Sequence, residues 1–74
     1  DYLVDIEPTP GMSYDQAIII AMKREDAAHR LYKDMAGQVS DPDMIKLFEW
    51  LATEEAKHRH RFEVEYDEEV LREN

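Results

Sequence analysis

The sequence predicts an all-α fold: an antiparallel helical hairpin that becomes a four-helix bundle only when a second hairpin joins it. Three observations predict this. Two runs of apolar residues recur at alternating steps of three and four, a short turn with capping residues separates them, and no Pro or Gly falls inside either run. With 74 residues, 43% of them hydrophobic, two glycines and three prolines, the composition suits one small helical domain and not a loop-dominated fold.

Residues 1–12 (DYLVDIEPTPGM) show no helical period and read as an arm or linker. Tyr2, Leu3 and Val4 suit a short extended piece, which Pro8, Pro10 and Gly11 break before the first helix. The arm is expected to touch a partner subunit or a neighbouring domain. Residues 13–74 form the hairpin. Ser13 is a good N-cap and Gln16, three positions on, completes a capping box. Helix is expected from Tyr14 to Gly37, with the glycine serving as a left-handed C-cap. One stripe along it runs Ile18, Ala21, Glu25, Ala28, Tyr32, Met35, which is the spacing of a bundle seam with a carboxylate at its middle.

Gln38 to Asp41 reads as a short turn. Ser40 or Asp41 caps the second helix, and Pro42 falls in its first turn, where a missing N–H does no harm. The second stripe is Met44, Phe48, Leu51, Glu55, His58, Phe62, and the helix is expected to reach about Leu71. A turn this short makes the helices antiparallel. Glu25 and Glu55 are equidistant from residue 40, each roughly 22 Å from the turn at 1.5 Å per residue, so their carboxylates come level. His58 lies one turn further along the same face.

Two level carboxylates in an apolar seam repel each other and lose hydration, which a di- or trivalent cation reverses. Carboxylate oxygens with an imidazole nitrogen suit iron, manganese or zinc, whereas an all-oxygen calcium cage has no use for the histidine. The competing reading pairs Glu55 and His58 with each other or with Lys57 and Arg59 on a solvated face; the apolar neighbours Phe48, Leu51 and Phe62 speak against it. Two hairpins face to face bring together four Glu and two His, with a Glu from each of two helices and a Glu-x-x-His from each of the others. That donor set is known to hold a pair of metal ions in four-helix bundles.

Other classes are excluded or disfavoured. A net charge of -9 argues against nucleic acid or an anionic membrane as partner. The absence of cysteine removes disulfides and thiolate metal sites from this chain. The longest apolar run, Ala17 to Met22, is far short of a membrane span and no signal-peptide pattern precedes it, so a cytoplasmic location is the default. A chain this small also needs metal or oligomerisation to support its core.

The chain resembles the ferritin-like, rubrerythrin-type di-iron family over Ser13 to Asn74. The resemblance is carried by Ala21-Met22-Lys23-Arg24-Glu25 and Leu31-Tyr32 in the first helix. In the second it is carried by Asp41-Pro42-Asp43, Lys46-Leu47-Phe48 and Leu51-Ala52-Thr53-Glu54-Glu55-Ala56-Lys57-His58. The likeness is to the C-terminal hairpin of single-chain members, and the half-bundle design is similar to that of encapsulated ferritins. The resemblance implies a di-iron centre with Glu25, Glu55 and His58 as ligands, and ferroxidase or peroxide- and oxygen-reducing chemistry. It implies as partner either a second copy, in a homodimer or larger even-numbered oligomer, or an N-terminal hairpin. Rubrerythrins usually carry a cysteine-ligated electron donor, so here an external donor is implied.

Three further residues are candidates for a supporting or additional ligand role. His29 follows Glu25 by one turn, a spacing that allows shared ligation, though packing is expected. Tyr32 lies two turns from Glu25 and can reach a ligand carboxylate. Glu54 stands at the edge of the seam beside His58. Against the di-iron reading stands a non-catalytic alternative: a helical dimerisation module, or a half-bundle holding a structural metal.

Overall fold

A computed structural model describes residues 7–71, and two helices make up nearly all of it. Helix α1 spans Tyr14–Gln38 and α2 spans Pro42–Glu69. The expected capping box forms in full: the Ser13 hydroxyl accepts from the Gln16 backbone N–H at 3.3 Å, and the Gln16 side chain accepts from the Ser13 N–H at 3.0 Å. At α2 it is Asp41, not Ser40, that caps, accepting from Met44 N–H at 3.2 Å with Pro42 behind it as first helical residue.

The end of α1 differs from expectation. Gly37 is not a left-handed cap, because no glycine among the described residues has positive φ. The helix runs one residue further and Val39 closes it in extended conformation, its N–H donating to the Met35 carbonyl at 3.1 Å. Ala-rich α1 carries its own hydrogen-bond ladder through Gly37, so no αL residue is needed to turn the chain. At the far end α2 closes at Glu69, slightly before the expected Leu71. Tyr2, Leu3 and Val4 lie outside the described residues. Residues 7–12 lie against α1 of their own chain: Glu7 reaches Arg24 at 3.4 Å, and Thr9 and Met12 line a hollow with Ile19 and Ile20.

Packing between the helices is thin. The molecule is 48 Å long and 16 Å in its smallest dimension, the depth of a single layer of helices. Among the described residues the buried apolar ones are Ile18, Ile20, Ala27 and Ala52, and no side chain is fully enclosed. Tyr32 and Phe48 stack across the hairpin with ring centroids 6.2 Å apart. Meanwhile Trp50, Leu47 and Met44 stand 58%, 50% and 43% exposed. So small a core leaves large apolar side chains in contact with solvent.

Candidate metal centre

The middle of the seam holds the three residues singled out by spacing. Glu25 comes from α1, and Glu55 and His58 come from consecutive turns of α2. One potential ligand atom from each lies within 4.8 Å of the others. His58 Nδ1 is 3.2 Å from Glu25 Oε2 and 3.6 Å from Glu55 Oε1. The two carboxylates are about four-fifths covered, while the imidazole is about half exposed (side-chain exposures 21%, 19% and 48%). Ile18, Ala21 and Phe62 continue the wall of a groove of about 540 Å³ that contains Glu25 and His58.

This placement has an electrostatic signature. The Glu25 carboxyl is pushed above its ordinary value, first by burial and then by its contact with the Glu55 carboxylate; His58 pulls in the opposite direction. The net upward shift means the neighbouring imidazole does not offset two acids held together in a partly dry seam. A bound cation would. The donor set of two carboxylates and one imidazole fits iron, manganese or zinc. Three donors leave such an ion short of its usual coordination, so the site has room for ligands from elsewhere.

The two cations that flank His58 in sequence point elsewhere. Lys57 pairs with Glu54 at 3.1 Å and Arg59 with Asp26 at 2.9 Å. Glu54 is therefore engaged at the rim and does not join the trio. His29 is also separate from it: its Nδ1 contacts the Ala52 carbonyl at 2.8 Å. Tyr32 stacks on Phe48, and among the described residues its hydroxyl makes no hydrogen bond to a ligand carboxylate. His60 is exposed and sits 3.7 Å from Glu63.

Two features of the groove escaped the sequence reading. Tyr14 donates to Glu65 Oε2 at 2.5 Å, closing the end of the groove remote from the turn. Arg61, between that pair and His58, lines the same groove. The signal for the first was present, since Tyr14 and Glu65 are almost equidistant from residue 40, as Glu25 and Glu55 are. Arg61 falls outside the seam's repeat, and nothing in its spacing distinguished it.

Among the described residues, no helix is long and apolar enough to cross a membrane. A family model described as Rubrerythrin matches residues 9–73. No curated protein and no solved structure gives a match.

Proposed function

The chain belongs to the rubrerythrin family, and from that premise we propose that it is a di-iron carboxylate protein whose site is shared between two hairpins. The observation that carries the proposal is the meeting of Glu25, Glu55 and His58 from two helices within 4.8 Å, beside a groove to which Ile18, Ala21 and Phe62 give an apolar wall. Iron, generally bound in this family, would supply reversible one-electron chemistry toward oxygen or peroxide.

The chain's own residues do the rest. Glu25 and Glu55 provide anionic oxygens at one level of the bundle, and their mutual repulsion favours a cation between them. His58 supplies a neutral donor from the half-exposed side, which keeps that side of the site accessible to small molecules. Ile18, Ala21 and Phe62 give the groove beside the site an apolar wall, where charge is less screened by water than on an open surface and a cation is held more firmly. Four carboxylates and two imidazoles from two copies complete the donor set for two ions. These 74 residues hold no cysteine, so reducing equivalents come from a donor outside them.

The test is metal content and mass in solution after loading with ferrous iron, followed by exposure to air. About one iron per chain in an even-numbered assembly is expected, with an absorbance change on oxidation that Glu55→Ala abolishes. Iron oxidation by that variant at the parental rate removes the ligand assignment.

A second reading draws on the same contacts. Since His58 already stands 3.2 Å from Glu25, the trio partly satisfies itself, as a non-catalytic dimerisation module would require. That reading predicts an even-numbered assembly with no oxidation-dependent absorbance.

A further inference from the structure

We propose that Arg61 makes the open side of the candidate site a place for a small oxyanion, held between its guanidinium and a cation seated on Glu25, Glu55 and His58. That role presupposes the reading of the trio as a metal site, and it fills coordination that the chain's own three donors leave open.

Arg61 follows His58 by one turn of α2, roughly 4.5 Å along the helix, and lines the same groove as Glu25 and His58. Lys57 and Arg59 are committed to Glu54 and Asp26, but Arg61 forms no ion pair among the described residues. Position explains the difference. The one acid a turn away from Arg61 on α2 is Glu65, and that carboxylate accepts from the Tyr14 hydroxyl at 2.5 Å. On α1 the residue as far from residue 40 as Arg61 is Ile19, which offers no charge. Glu25 and Glu55 are met by His58 at 3.2 and 3.6 Å. An uncommitted guanidinium is left beside a three-donor site whose imidazole is half exposed.

Charge decides which ligand suits. In metal-free protein the two carboxylates of the trio repel an anion, and Arg61 alone is a single exposed charge, which binds little. A di- or trivalent ion on the trio balances or exceeds those two negative charges, and Arg61 then adds a positive one on the open side. Glu65 lies beyond Arg61 on the side away from the trio, with its carboxylate held by Tyr14. A neutral or cationic ligand gains nothing from the guanidinium. An oxyanion does, because the planar fork of N–H donors matches carboxylate and phosphate through paired hydrogen bonds. Oxyanion and cation should therefore bind cooperatively, each raising affinity for the other by the same factor.

The experiment titrates sodium formate, sodium phosphate and, as control, sodium chloride into protein loaded with cobalt(II), whose visible absorption reports a change in its ligands. Cobalt uptake is measured first by equilibrium dialysis, and calorimetry follows the same anions with metal-free protein. Formate or phosphate is expected to shift the cobalt bands at concentrations about tenfold below chloride, and metal-free protein to show no saturable binding. The tighter of the two oxyanions tells a planar ligand from a tetrahedral one. Arg61→Gln breaks no ion pair within the chain; it should hold cobalt at least as tightly as the parent, yet bind the oxyanion about tenfold more weakly or worse. Lys57→Gln removes a charge committed to Glu54 and should stay within about threefold of the parent. Circular dichroism confirms that the variants are helical, and Arg61→Lys, which keeps the charge without the fork, serves if Arg61→Gln does not fold, with a loss of about threefold or more expected. No spectral change with either oxyanion, equal binding by metal-free protein, parental affinity in the Arg61 variant, or an equal loss in Lys57→Gln overturns the proposal. Cobalt uptake without oxyanion binding removes this role of Arg61 and leaves the metal site standing, whereas a parent chain that takes up no cobalt removes both.

Discussion

His29 Nδ1 lies 2.8 Å from the carbonyl oxygen of Ala52, and the two residues stand one helical turn from Glu25 and Glu55 respectively. A carbonyl only accepts, so Nδ1 carries the proton and donates. The bond crosses the hairpin beside the candidate site and opposes sliding of one helix along the other, the motion that would take the two carboxylates out of level. His29→Ala should therefore cost about 1 kcal/mol of stability, measured by chemical denaturation of metal-free protein at fixed concentration. Iron stoichiometry should stay at the parental value, because this imidazole lies outside the ligand trio. Loss of one iron per pair of chains with unchanged stability would make His29 a ligand instead of a strut.

The relation between these helices was largely legible in the sequence because one rule governs it. Residues equidistant from residue 40 meet across the hairpin: Tyr32 with Phe48, and Glu25 with Glu55 and its neighbour His58. Within one residue the same rule holds for Tyr14 with Glu65 and for His29 with Ala52. Helix type, caps and register follow from local chemistry and periodicity. What did not follow was the fate of individual polar side chains. Whether Lys57 and Arg59 turn toward the acids of the seam or toward Glu54 and Asp26 depends on rotamers of long side chains, which spacing does not set. Gly37 was misjudged for a related reason: glycine permits the left-handed conformation but does not impose it.

Glu25 gives the metal-free protein a pH dependence of definite sign. Its folded-state value is raised above the ordinary 4.5, so over the range just above 4.5 the folded chain binds more protons than the unfolded one. This contribution to stability is complete at lower pH and is lost as pH rises through the folded-state value. Glu25→Gln should remove that decline, leaving the metal-free variant more stable than the parent at neutral pH. Thermal melts of both proteins at a series of pH values check it. Metal should reverse the trend for the parent, since binding requires deprotonated ligands and strengthens as pH rises. A parent chain that gains stability with pH through this window when metal-free would show that the two acids do not oppose each other.

Tyr14 makes a separate spectroscopic prediction. Its phenol is pushed up to about 12, chiefly by the hydrogen bond it gives to Glu65, with the nearby Glu65 and Glu69 charges adding to the effect. Tyr14 should therefore ionise late in a titration followed by phenolate absorbance. Tyr14→Phe should remove the late step. Glu65→Gln should move it downward by taking away the charged acceptor and leaving a neutral one. If the late step survives Tyr14→Phe, the contact closing the end of the groove is not the one that holds the phenol.

Gly37 allows the helix boundary itself to be tested by the sign of one substitution. The residue lies inside α1, one position before its end, with no positive φ, and a Cβ built there meets nothing within 4 Å. Alanine would therefore keep the helical conformation without a clash, while narrowing the conformations open to the unfolded chain. Gly37→Ala should stabilise the protein by about 0.5 to 1 kcal/mol, somewhat less if the last turn frays. For a chain of this length that is a rise of a few degrees in Tm, roughly 2–8 °C. Were Gly37 a left-handed cap, as its position in the sequence suggests, the added methyl group would strain the backbone and lower Tm by a similar amount. Gly11→Ala, in the turn before α1 where a Cβ also meets nothing, is the comparison that isolates the helical term.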